Sequence, residues 1–124
     1  MRGQFTPFDE HPNRGSLFEN WVAAELAKHK LRLTPSESIG FWRTKSKAEV
    51  DFVVETEGGI TGIEVKATEM KRPKLSRSSH SFIEAYNPKA FYVVNLSLDA
   101  EQRIGQTTVR WIGPEFCGQL PMLI

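Results

Sequence analysis

The sequence has almost no cysteine: among its 124 residues Cys117 stands alone. An internal disulfide and a CxxC metal cluster are therefore both excluded, which suits a reducing compartment. Long hydrophobic runs are also missing. Nothing approaches the ~20 consecutive apolar residues that cross a bilayer. The opening MRGQFTPFDEHPNRG is polar and broken by prolines, so it offers no apolar stretch for a secretory signal. A cytoplasmic protein with no membrane partner is expected. No excess of charge of one sign exists, since 16 basic against 15 acidic side chains leave +1. There is no GxxxxGK[ST] phosphate loop, hence no ATP site of that kind. His11, His29 and His80 are scattered, with no partner at metal-ligand spacing, which points to surface or packing roles.

What remains is an ordinary globular composition, 40% hydrophobic and 25% charged, at the usual size of one domain. Such a chain buries roughly 65–70% of its unfolded surface and needs neither disulfides nor a structural metal. Residues 1–15 read as an irregular lead-in because of Pro7, Pro12 and Gly15, leaving 16–124 as a single domain. Ser16 and Glu19 have capping-box spacing. From there to Lys30 an apolar stripe of Leu17, Trp21 and Ala24, with Phe18, Val22 and Leu26 beside it, predicts a helix. Glu25 falls near the centre of that stripe; support of a ligand or a core hydrogen bond would each explain it. A turn at Thr34-Pro35-Ser36 then leads to a first strand over 39–43. Trp21, Trp42 and Trp111 suit core or interface packing better than base stacking.

The stretch from Glu49 to Lys66 is the most informative. EVDFVVET and ITGIEVKA are strand-like runs around Gly58-Gly59, a dipeptide suited to a two-residue hairpin turn. That turn would oppose Asp51 to Lys66, Val53 to Glu64 and Glu49 to Thr68 on one surface. The other surface would oppose Val50 to Ala67, Phe52 to Val65 and Val54 to Ile63. One face is apolar and the other gathers charge, and a one-residue slip would mix the two. Beyond it, Leu75, Ser79, Phe82, Ile83 and Tyr86 have helical spacing before an Asn87-Pro88 stop. AFYVVNL (90–96) reads as a strand buried on both faces, and 107–112 as one more. A helix between Lys66 and Ala90 permits a crossover to a parallel neighbour, so the fold class is α/β with a mixed sheet flanked by helices.

Two carboxylates, Asp51 and Glu64, and the amine of Lys66 would share one face. Close carboxylates repel unless a cation or proton is shared. Magnesium or manganese, held by Asp51, Glu64 and the carbonyl of Val65, would keep positions for a phosphate and a water. Lys66 would orient or deprotonate that water, and Glu19 could add an oxygen from the helix. Two simpler readings stand beside this one. Asp51 and Lys66 could form a cross-strand ion pair, worth under about 1 kcal/mol if exposed, and Glu19 could serve only its capping box. Basic side chains cluster in two places, Arg43, Lys45 and Lys47, then Lys71, Arg72, Lys74 and Arg77 beyond Lys66. These would neutralise phosphates or form solvated loops.

The ordered set of Glu19 in GSLFENWV, Asp51 in AEVDFVV, and Glu64 with Lys66 in GIEVK resembles the PD-(D/E)XK nuclease superfamily, including archaeal Holliday-junction resolvases. Nearly the whole chain, from RGSLFENWVAAEL through FWRTKSKAEVDFVV and GIEVKAT to EFCGQLPMLI, is similar to the uncharacterised domain that follows the ATPase module of bacterial AAA-type ATPases. The resemblance implies a restriction-endonuclease-like αβββαβ core. It also implies metal binding by Asp51 and Glu64, catalytic support from Lys66 and help from Glu19. DNA, branched DNA included, would be the substrate, and an AAA-type ATPase module the partner. Cutting both strands of a duplex needs two sites, which a homodimer would supply. A module that keeps the motif without catalysis, binding DNA or its ATPase, is the alternative, because fold and motif do not entail activity.

Overall fold

The computed structural model describes residues 6–7, 17–30 and 37–114. In chain order these form β1 (Thr6–Pro7), α1 (Leu17–Lys30), β2 (Ser38–Arg43), β3 (Glu49–Thr56), β4 (Gly59–Val65), α2 (Arg77–Tyr86), β5 (Ala90–Val94), β6 (Ala100–Ile104) and β7 (Thr107–Ile112). The strands make one mixed sheet in the order β1-β2-β3-β4-β5-β7-β6. β4 and β5 are parallel, joined through α2 as the crossover argument requires. The expected α-β-β-β-α-β order is present from α1 to β5. The Ser16 cap, the turn at 34–36, His11, Cys117 and the closing segment 115–124 lie outside the described residues.

Side-chain alternation divides the sheet between two cores. Phe52, Val54, Ile63, Tyr92 and Val94 meet Val22, Ala23 and Leu26 of α1 on one face. Val53, Phe91, Val93, Val109 and Trp111 meet Leu75, Phe82 and Ile83 of the α2 side on the other. Phe82 is the hub of the second core, with ring centroids 5.4 Å from Trp42, 5.0 Å from Tyr86 and 6.1 Å from Phe91. On the α1 side, burial holds the Tyr92 hydroxyl above its ordinary pKa of 10.0, opposed by the Arg110 charge.

Gly62 sits between Val53 and Phe91 in the sheet. A Cβ there would stand 2.6 Å from the Phe91 ring and 2.9 Å from that of Phe82, both fully buried. Neither ring can retreat in a close-packed core. Gly62→Ala should therefore cost about 1–3 kcal/mol and lower Tm by about 4 °C or more per kcal/mol. Thermal denaturation followed by circular dichroism measures this, and an unchanged Tm would show that the ring pair yields freely.

Several expectations need correction. The buried face of α1 is Val22, Ala23 and Leu26, whereas Trp21 is 42% exposed and Ala24 faces solvent. The two stripes lie beside each other on the helical wheel, so an exposed aromatic pulled the sequence estimate round. Glu25 sits at that boundary and ion-pairs with Lys28 at 3.3 Å. Within the segment expected to be irregular, Thr6–Pro7 pairs with β2, at the edge of the sheet where proline is tolerated. The first strand begins at Ser38. β6 was not foreseen, because AEQRI is polar and exposed at its centre; its signal was the turn at Gly105-Gln106, with Gly105 at φ +59°.

The hairpin turn is Glu57-Gly58, since Thr56 pairs with Gly59. The β3–β4 register is consequently two residues from the one expected, with Phe52 opposite Ile63 and Val54 opposite Thr61. A shift of two leaves the side chains of an unbroken strand on their original faces, so Phe52, Val54, Ile63 and Val65 stay together on the α1 side and Val53 and Glu64 on the other. Val50, expected beside Phe52 and Val54, instead joins Val53 in the α2-side core, so that face is apolar as well as charged.

Candidate active site

β3 and β4 part company just where the charged residues lie. Their ladder ends at Phe52 and Ile63, which makes Asp51 and Glu64 the next opposed positions. There the backbone N–H of Val65 donates to Asp51 Oδ2 at 2.8 Å, so a side chain takes the place of a ladder acceptor. A bulge helps to aim it. Between Gly40–Val53 and Trp42–Val50, β3 uses one residue more than β2, and Val50 and Val53 both reach the α2-side core. The extra length lies around Asp51 and Phe52, where bulges commonly re-aim a side chain. Asp51 is thus half-buried at the seam between strands, bonded to the backbone that joins Glu64 to Lys66.

Glu64 is buried on the α2 side, among three polar partners. Ser76 Oγ donates to its Oε2 at 3.2 Å, Ser79 Oγ donates to the same oxygen, and Lys66 Nζ lies 3.2 Å from Oε1. Ser76 is also the N-cap of α2, accepting the Ser79 N–H at 3.1 Å. The carboxylate therefore lies at the helix start, where the helix dipole favours negative charge. Ser79 is fully buried and, like Ser76, was not foreseen as a site residue. The N-cap pattern of PKLSRSS before a helical run was the available signal. The cross-strand pair expected between Asp51 and Lys66 is not formed: Lys66 turns to Glu64, two residues earlier on its own segment. Glu19 belongs to α1, but its side chain lies outside the described residues.

The segment from Lys66 to Ser76 is pinned at several points. Lys66 N–H donates to Val94 O at 2.7 Å and Leu96 N–H to Thr68 O at 3.1 Å. Met70 exchanges two hydrogen bonds with Ser97, and Trp111 Nε1 reaches Lys74 O at 3.3 Å. Buried Asn95 organises the opposing loop through Ser97 N, Leu98 N and Leu98 O. An open groove of about 410 Å³ results, lined by Lys66, Met70, Lys74, Leu75, Ser76 and Arg77. Lys71 and Arg72 are exposed on the same segment without lining it. The other basic cluster surrounds a second concavity at the β2–β3 hairpin, where Arg43 pairs with Glu49 at 3.5 Å and Lys45 and Lys47 are exposed. Because β3 and β4 are antiparallel, the hairpin tip and the end of β4 share one end of the sheet with Asp51 and Glu64.

Among the described residues no three His, Cys, Asp or Glu side chains form a ready-made metal cage. Asp51 and Glu64, at opposed positions beyond the Phe52–Ile63 pair, are the described carboxylates that would hold a hard cation such as magnesium, which keeps several of its waters.

A family model for a domain of unknown function, DUF4143, matches residues 14–112. The chain belongs to this family. Uncharacterized proteins of Mycobacterium bovis and Mycobacterium tuberculosis are each 34% identical to this DUF4143 chain over 73 residues. The match covers 59% of the chain and 15% of either relative, so this DUF4143 domain corresponds to a small part of the relatives it matches. Among its described residues no helix is long and apolar enough to cross a membrane.

Proposed function

We propose that this DUF4143 domain is a metal-dependent phosphodiesterase acting on DNA, with the site chemistry of the PD-(D/E)XK nucleases. The observation that carries the reading is the Asp51 carboxylate lodged against Val65 N–H at the parting of β3 and β4, next to the Glu64–Lys66 pair. Asp51 and Glu64 would hold magnesium or manganese with the Val65 carbonyl. A bound cation of this kind acidifies water and neutralises phosphate charge. Ser76 and Ser79 fix the Glu64 carboxylate, and Lys66, 46% exposed at the groove, can turn from Glu64 toward a phosphate or water. Lys74 and Arg77 in the groove, with Lys71 and Arg72 beside it and Arg43, Lys45 and Lys47 at the hairpin, would bind the DNA backbone. Glu19 is kept as an assisting residue on its sequence position alone. Membership of a family typically found alongside AAA ATPases supports coupling to such a module.

One observation favours a second reading, a non-catalytic interaction module. Both Glu64 oxygens already have protein partners, as they would if the cluster served only to join β4 to α2. The two readings part on metal. Magnesium and manganese titrations by calorimetry, followed by incubation with plasmid and branched DNA, should show binding and metal-dependent cleavage. Neither binding nor cleavage in the unmodified chain would select the interaction module.

A further inference from the structure

β6 ends one side of the sheet, and among the described residues no strand pairs with its outer edge. Such an edge offers a row of unpaired N–H and C=O groups to another strand. Its central residues Glu101, Gln102 and Arg103 are all exposed, and Ala100 and Ile104 are half-buried. Protected edges commonly carry charge that repels a second copy, lysine above all. This edge carries opposite charges on either side of Gln102.

That arrangement is self-complementary. When two β6 strands pair antiparallel about a two-fold axis at Gln102, Glu101 of each copy faces Arg103 of the other, and Ala100 faces Ile104. Sliding the pairing by two residues in either direction sets Glu101 against Glu101 or Arg103 against Arg103, which is unfavourable. The charges therefore select one register. Within its own chain Glu101 lies 3.6 Å from Arg110, and Arg103 has no ion-pair partner among the described residues. Ala100 and Ile104 pack at the margin of the α2-side core, so the pairing would bring two such margins together. A closed two-fold contact also stops at two copies.

We propose that β6 is a homodimerisation edge, through which a second copy of this chain extends the sheet. The inference rests on the edge alone and stands apart from the nuclease reading. One short strand per copy gives an interface at the small end of the known range, so the dimer should be concentration-dependent. Sedimentation of the chain from micromolar to several hundred micromolar, at low salt, should show the mass rising from 14.1 kDa toward twice that value. Glu101→Arg and Arg103→Glu should each raise the dimer Kd by about tenfold or more, and the double variant Glu101→Arg/Arg103→Glu should recover most of that loss. Gln102→Cys, combined with Cys117→Ser, should cross-link on oxidation, since its two copies meet at the axis. Melting curves confirm that each variant is folded. A parent that stays monomeric throughout, or a dimer indifferent to the two charge reversals, overturns the proposal.

Discussion

Asp51→Asn should abolish magnesium binding and DNA cleavage while leaving the melting temperature close to that of the parent. The reason lies in the dual role of this carboxylate. Its charge is one of the two that would hold the cation, whereas its Oδ2 satisfies the backbone N–H of Val65. An asparagine oxygen can still accept that hydrogen bond but is a far poorer partner for a hard divalent ion. Asp51→Ala separates the roles in the other direction. It should also lose metal and cleavage, but it strands a part-buried N–H and should cost about 1–3 kcal/mol besides. Relief of carboxylate repulsion would by itself leave stability unharmed on truncation; the hydrogen bond from Val65 N–H makes the loss unfavourable. Calorimetric titration, gel cleavage and thermal melting on the three proteins test the pair of roles. Cleavage by Asp51→Asn at the parent rate would reject the metal assignment. Intact cleavage with a lowered Tm in Asp51→Ala would leave Asp51 as a purely structural residue.

Lys66→Met should lower cleavage by about two to four powers of ten, the usual range for removing a positioned proton-transfer group. Metal affinity should move the opposite way, or not at all. Lys66 Nζ lies 3.2 Å from Glu64 Oε1, so under the proposed reading the ammonium and a bound cation would compete for one oxygen. Removing it should let magnesium bind at least as tightly as in the parent. Stability should change little, because an ion pair with its lysine 46% exposed contributes under about 1 kcal/mol, and Ser76 and Ser79 continue to hold the other oxygen. Full cleavage by Lys66→Met would refute its catalytic part. Weaker magnesium binding in the variant would mean that lysine and metal do not share Glu64.

The hairpin shows why some features were legible and others were not. Alternation is a property of each strand alone, so the sorting of Phe52, Val54, Ile63 and Val65 from Val53 and Glu64 could be read directly, whereas the bulge that moves Val50 to the other face could not. The turn is a matter of two adjacent glycines, either of which can occupy a tight bend. Choosing Glu57-Gly58 over Gly58-Gly59 moves every pair by two residues and costs nothing in patterning. The Asp51–Lys66 pair was derived from the register and failed with it. Glu64 and its serines lay in a different position. Sequence placed Glu64 on a strand and Ser79 in a helix, but their meeting depends on how the start of α2 docks over β4.

What the sequence by itself determined is the alternation of elements, the α/β class, the α2 period with its Asn87 stop, and the clustering of Asp51, Glu64 and Lys66 around one hairpin. These follow from local periodicity and turn chemistry, which act over a few residues. Only the tertiary structure decided the bulge that aims Asp51 at Val65, the capture of Glu64 by the α2 N-terminus, the buried stripe of α1 and the outer position of β6. Each of those depends on residues distant in sequence competing for the same space or the same proton. The contest between packing and hydrogen bonding is resolved there by the whole sheet rather than by any one strand.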